Sequence, residues 1–312
     1  MTVLGEAEEA VALGDAQPVA EPGARGAADT GGPPTAARRP GLVRAVVLPG
    51  LAIVGGFVLA FAAFLLVLSG TEQARAQRGL ERRFADELAR GRAPVGGAIR
   101  DGQPVALLEI PPLRLRQVVV QGTRSRELRK APGHLPGTVL PGQAGVTVIL
   151  GRRQSFGSPF DRIGSLRRGD EVRLTTGQGT ARYRVQRIER LGRSADRLTG
   201  SSTANAVRLV TLSGLGPGAG RLVVTATLVG PPGATPAVAG APTRRDDGLH
   251  GERAALAPVL LWLEVLLLVV LATTWIYRRW YLWPTYLLTT PVIIVVTWLL
   301  FDELARLLPA TW

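Results

Sequence analysis

Three apolar stretches, each long enough to cross a lipid bilayer, constrain this chain more than any other feature of its sequence. Ala45 to Leu68 runs 24 residues without a charge, Ala254 to Tyr277 is interrupted only by Glu264, and Trp280 to Phe301 runs 22 residues without a charge. As helices rising about 1.5 Å per residue, all three match or exceed a hydrocarbon core of about 30 Å. All six tryptophans fall in the last 51 residues. Trp275, Tyr277, Trp280, Tyr281 and Trp283 bracket Arg278 and Arg279, a pattern expected where two helices meet one membrane interface. Arg38, Arg39 and Arg44 stand before the first stretch. The positive-inside bias therefore assigns the N-terminus and the 278–279 hairpin to the cytoplasm, and residues 70–253 to the outside. The first stretch exceeds the roughly 7–15 apolar residues of a signal peptide's core and follows a long tail, so it is expected to be a retained anchor.

Composition narrows the chemistry. There is no cysteine, which excludes disulfides, thiolate metal sites and a cysteine nucleophile. The two histidines, His134 and His250, are far apart in the chain, so a multi-histidine metal site is not expected. The net charge is +13, carried by 36 arginines and a single lysine beside abundant Ala and Gly. That imbalance reflects GC-rich coding better than selection for nucleic-acid binding, and no nucleic-acid partner is expected. The run Gly214-Leu-Gly-Pro-Gly-Ala-Gly220 lacks the Gly-Lys-Ser/Thr ending of a phosphate loop, and nothing else in the chain implies a cofactor or a metal.

The stretches divide the chain. Residues 1–43 read as a disordered cytoplasmic tail and 44–69 as the first transmembrane helix. Residues 70–102 read as a juxtamembrane helix and stalk, with Leu80, Phe84 and Leu88 at i+4 and the pairs Arg82–Asp86 and Arg83–Glu87. Residues 103–230 form one domain and 231–253 a Pro/Gly/Ala linker. The second and third transmembrane helices take 254–277 and 280–304. Within the domain, β-branched runs at Val105–Ile110, Leu115–Gln121, Val146–Leu150, Glu171–Thr175, Ala181–Ile188, Val207–Leu212 and Leu222–Val229 predict seven or eight short strands. Ser125–Lys130 and Pro159–Leu166 read as short helices. The fold class is mainly β, a single barrel or sandwich.

Several motifs in the domain resemble those of bacterial sortases, and most of all the class E branch. They are Leu108-Glu-Ile-Pro, Val118-Val-Val-Gln-Gly-Thr, Leu128-Arg-Lys-Ala-Pro-Gly-His-Leu-Pro-Gly-Thr138, Pro141-Gly-Gln-Ala-Gly, Ser158-Pro-Phe-Asp-Arg-Ile, Leu166-Arg-Arg-Gly-Asp-Glu-Val and Arg221-Leu-Val-Val-Thr-Ala. The resemblance spans roughly residues 103–229. It implies an eight-stranded β-barrel on the outer face of a bacterial plasma membrane. It also implies a cysteine transpeptidase activity that cleaves a sorting signal in a substrate protein's tail.

Carried over residue by residue, that activity loses its parts. The family's histidine falls on Arg152, its cysteine on Leu212, and only its arginine is kept, as Arg221. An arginine does not exchange protons near neutral pH, and an isobutyl group cannot attack a carbonyl. Ser213, one position on, is the substitute nucleophile to weigh, but strand alternation turns it away from Leu212 and Arg152 cannot serve as its base. His134 stands in a stretch resembling a structural turn of the family, and His250 falls in the linker.

The expectation is a non-catalytic scaffold, peptide-binding or accessory subunit in surface-protein assembly; the alternative is an active transpeptidase working through Ser213. Arg152 and Arg221 are then candidate ligand-binding groups for a carboxylate or other anion. Glu264, inside an apolar helix, is expected to face protein or find a cation from a partner in the membrane. The charge of residues 70–253 is +15, which suits anionic wall polymers or lipid headgroups as further partners.

Overall fold

The computed structural model describes residues 51, 55–192, 198, 205–214, 219–236, 253–279 and 282–312. The expected tail at 1–43, most of the 231–253 linker, His250 and the Trp280–Tyr281 turn lie outside the described residues. Helix α1 spans Gly55–Ala89, with a π-helical turn at Phe64–Leu68. Eight strands follow, β1 (Pro104–Ile110), β2 (Leu115–Gln121), β3 (Gly133–His134), β4 (Val146–Leu150), β5 (Glu171–Thr176), β6 (Gly179–Leu191), β7 (Ala206–Leu212) and β8 (Arg221–Val229). A single helical turn, α2 (Ser125–Leu128), separates β2 from β3, and two long helices, α3 (Leu256–Arg279) and α4 (Leu282–Leu307), close the chain.

The strands form a closed barrel in the order β1-β2-β3-β4-β7-β8-β6-β5. All neighbours are antiparallel except β2–β3 and β4–β7, which are parallel. At eight strands a barrel interior is just wide enough to be filled by side chains. The filling here is aliphatic, with Leu108, Ile110, Ile149, Leu174, Leu209 and Val224 all at 0% exposure. Strand β5 shows the alternation behind this arrangement, with Val172 and Leu174 inside and Glu171 and Arg173 half-buried outside. Strand β7 departs from it, being buried at every position. Its outer face is therefore covered as well as its inner one.

The seven strands expected from sequence appear within a few residues of their expected limits. The two-residue β3 was not expected; it is held by the parallel pairing of Val120 with Gly133 and of Gln121 with His134. Pro159–Leu166 is not the helix expected of it. Only Ile163–Ser165 makes a 3-10 turn, and Phe160 ahead of it is drawn into the core.

The charged part of α1 lies along the barrel. Phe84 packs with Val118 and Ala93. The Gln77 side chain accepts from the Val118 N–H at 2.8 Å and donates to the Val118 and Lys130 carbonyls at 3.2 Å. Arg83 pairs with Glu87 as expected, but Asp86 pairs with Arg90 rather than Arg82. Among the described residues, two helices are long and apolar enough to cross a membrane, Gly55–Ala89 and Leu256–Ile276, whose most apolar windows have mean hydropathies of 1.7 and 2.5. Helix α4 packs against α1 through Phe57, Phe61 and Phe64, whose rings lie 4.9–5.7 Å from Phe301. Its last turns, with Leu300, Phe301 and Ala305 buried, bring the chain back to the barrel.

Candidate functional site

The site forms where the parallel strands β4 and β7 end together. The Gly151 N–H donates to the Val210 carbonyl at 3.0 Å, and the Thr211 hydroxyl donates to the Gly151 carbonyl at 2.8 Å. These two bonds fix the residue after them, Arg152. A Cβ at Gly151 would run into the Phe160 ring, so the close approach requires glycine. On β7 and β8, Leu212 and Arg221 are register partners. Both lie on the outer face, since Val210 and Val223, two residues away along each strand, belong to the outer apolar cluster with Leu150 and Leu128. The sequence thus places Leu212 and Arg221 side by side, one strand from the end of β4.

Neither guanidinium is solvated; Arg152 is 0% and Arg221 1% exposed. Arg152 donates to the Ser155 and Ser125 hydroxyls at 3.0 Å each, and its cationic carbon lies 4.7 Å from the centre of the Phe156 ring. Such contacts offset the cost of removing the charge from water. Phe156 holds its position at some backbone cost. Its φ is 50°, in the left-handed region that costs a non-glycine residue about 1–2 kcal/mol. Its N–H is anchored on the Ser69 hydroxyl of α1 at 2.9 Å. The same ring carries Arg129 on it at 4.8 Å. Burial pulls the Arg129 pKa down, against the raising influence of nearby Glu72.

Ser213 stands just beyond the end of β7, half-buried, its N–H bonded to the Gly220 carbonyl at 2.9 Å. His134 belongs elsewhere. It is the register partner of Ile149, an interior residue, so it lies on the opposite face of the sheet from Leu150 and Leu212. Nδ1 is 2.8 Å from Gln121 Oε1, and Nε2 is 3.0 Å from both the Val139 carbonyl and the Thr138 hydroxyl. Burial pushes its pKa down to about 4, only partly opposed by the Val139 bond. It is a structural histidine of the barrel wall. Glu264 sits on an exposed face of α3, and among the described residues none pairs with it.

The site also holds groups that sequence reasoning missed. Arg153 donates from its side chain to the Leu212 carbonyl at 2.8 Å and from its N–H to the Thr311 carbonyl at 3.2 Å. The Ser155 hydroxyl donates to the Trp312 carbonyl at 2.9 Å. Ala310, 1% exposed, completes the outer cluster of Leu128, Leu150, Val210 and Val223. The one signal for this was the break from an apolar run into Pro309-Ala-Thr-Trp312.

With the geometry of β4, β7 and β8 established, the match to known proteins is direct. The family model for the Sortase domain covers residues 108–229, from the end of β1 to the last residue of β8. Over those residues the barrel resembles a sortase domain. Sortase D of Bacillus subtilis (strain 168) is 33% identical over 84 residues, which are 27% of this chain and 41% of that protein. The chain therefore aligns with less than half the length of that curated relative. Among solved structures, a Clostridium perfringens Sortase D5 transpeptidase is 23% identical with a TM-score of 0.43, covering 51% of this chain and 98% of its own. Sortase E from Streptomyces avermitilis is 26% identical with a TM-score of 0.36, covering 42% and 91%. Within the sortase-like barrel, Leu212 and Arg221 are paired across β7 and β8, and Arg152 follows the end of β4.

Proposed function

We propose that this chain is a non-catalytic sortase-fold protein of the bacterial envelope, a scaffold or peptide-holding subunit in surface-protein assembly. The observation that carries this reading is the pairing of Leu212 with Arg221 at the end of β7, where the family resemblance calls for a sulfur nucleophile. Acyl transfer needs an attacking group, a proton carrier for the leaving amine and a cation for the oxyanion. Arg221 supplies only the last. Arg152 stands where the imidazole is expected, and its charge is permanent at neutral pH.

The protein is held by three helical spans, N-terminus in the cytoplasm and barrel outside. The charged end of α1 lies along the barrel and the end of α4 returns to it, which suits this topology. Its outer +15 charge favours loose adhesion to anionic polymers or headgroups that weakens with salt.

The test is incubation of the full-length protein, in lipid nanodiscs, with sortase sorting-signal peptides and an amine acceptor, followed by intact mass. The expected result is neither an acyl adduct nor an amine-linked product. A product that disappears in Ser213→Ala would establish the alternative, a transpeptidase with a hydroxyl nucleophile.

A further inference from the structure

Residues 308–312, Leu-Pro-Ala-Thr-Trp, occupy the outer face of the barrel beside Arg152. The turn is closed by the Trp312 N–H on the Pro309 carbonyl at 3.0 Å. Two successive carbonyls are then read by the barrel, Thr311 by the Arg153 N–H and Trp312 by the Ser155 hydroxyl. The Ala310 side chain belongs to the buried outer cluster that includes Leu128, Leu135, Leu150, Val210 and Val223. Leu308 and Trp312 flank it, packing against the cluster of Phe64, Phe156 and Phe301. This segment is one reason β7 lacks an exposed outer face.

Main-chain carbonyls taken by fixed donors, with one small side chain buried in an apolar cluster, are the contacts by which an extended peptide is held. The donors are themselves oriented. Arg153 also holds the Leu212 carbonyl, and Ser155 accepts from the buried Arg152. Ala310 is 1% exposed in that cluster, and a larger side chain there would overfill a close-packed site.

We infer that residues 308–312 occupy the face formed by β4, β7 and β8 in cis and so hold it closed to a peptide of the same Pro-Ala-Thr-aromatic chemistry in trans. The inference rests on reading this face as a retained peptide groove, and not on the absence of catalysis. The segment is tethered through α4, so its effective concentration is on the order of millimolar. A free peptide of the same affinity, with a Kd of about 10–100 μM, would bind the intact chain about 10–100-fold more weakly than a chain whose own segment is displaced. The groove then opens to a peptide in trans only when the end of α4 withdraws from the barrel.

The experiment uses a fluorescent Leu-Leu-Pro-Ala-Thr-Trp peptide with three forms of the full membrane protein in nanodiscs: intact, lacking residues 308–312, and Ala310→Trp. The expected result is at least tenfold tighter binding to the two altered forms than to the intact one. No binding of a peptide with tryptophan at the alanine position is expected to any of them. Equal binding to all three forms, or no binding to shortened protein that retains its melting transition, overturns the inference. Should both altered forms fail to fold, hydrogen exchange on the intact protein decides. Strong protection of the Arg153 N–H is expected, and rapid exchange there would refute the seated segment. Mass analysis of the recovered peptide separates the two readings, since cleavage would remove the non-catalytic assignment and leave the groove standing.

Discussion

Arg129, at the end of α2, and Asp302, in the last turns of α4, form a two-pronged ion pair that ties the barrel to the final helix. Glu72 of α1 approaches the same guanidinium at 3.6 Å, and Phe156 lies under it. Three parts of the chain that are distant in sequence thus meet on one cation that is nine-tenths buried. Its position just ahead of residues 308–312 makes it the natural anchor of that segment.

Asp302→Asn is therefore expected to destabilise the protein. Breaking a fully buried pair costs about 3–5 kcal/mol. Here the Asp302 side chain is 31% exposed and Glu72 remains nearby, so about 1–3 kcal/mol is expected once solvent screening is allowed for. Thermal unfolding in detergent measures it. Arg129→Met with Asp302→Leu should recover part of the loss, since no charge is then left buried without its partner.

The sequence made some of this legible and hid the rest for physical reasons. Strand β5 announces itself by alternation, and Leu80, Phe84 and Leu88 announce an apolar stripe on α1. The stripe does not reveal its partner, Val118, which is found only once β2 is placed. Strand β3 is two residues long and has no periodicity to detect. Leu212, Arg221 and Arg152 were identified through motif resemblance, because each follows a recognisable strand. Ser155 and Trp312 are 157 residues apart, and no local pattern links a hydroxyl after β4 to a carbonyl after α4. The break after α4 was visible; its docking place was not.

Gly151 offers a sharp steric test. A methyl group there meets the face of Phe160, itself fully buried beside the Arg152 carbonyl that accepts its N–H at 3.0 Å. Neither neighbour can yield cheaply in a close-packed interior. Gly151→Ala should cost about 1–3 kcal/mol, read as a lower unfolding midpoint. Gly169→Ala, where a Cβ meets open space but φ is +93°, should cost only about 1–2 kcal/mol through backbone strain. A larger loss at 169 than at 151 would contradict the packing described for the end of β4.

His134 sets the acid limit of the barrel. Its pKa of about 4 in the folded protein lies below the unfolded value of about 6.5, so the unfolded chain takes up the proton first. The stability this histidine contributes is complete above about pH 6.5 and is lost as the pH falls towards 4. The expected loss over that range is about 3 kcal/mol. His134→Gln keeps a polar group near Gln121 and Thr138 without a titrating ring. Its unfolding midpoint should start lower at pH 7 and change less between pH 7 and 4.5. A variant as acid-sensitive as the parent would place the titration elsewhere.

Glu264 makes the final prediction, which concerns a partner. It lies on an exposed face of α3, a helix whose most apolar window has no residue buried within the molecule. If α3 spans the membrane as proposed, a carboxylate there costs on the order of 2.5–3.5 kcal/mol on insertion scales. A helix facing only lipid gains nothing from it, whereas a basic or polar residue on another protein's helix would recover the cost. Glu264→Leu should therefore leave the melting temperature of the isolated chain unchanged or higher, while reducing a co-purifying membrane partner several-fold. Thr273 and Thr274 on the same helix bond back to Val269 and Val270 at 2.7 and 2.8 Å, so their hydroxyls are already satisfied within α3. Thr274→Val should thus leave the partner in place. If the same partners are recovered in the same proportion with Glu264→Leu, the carboxylate is not what holds them.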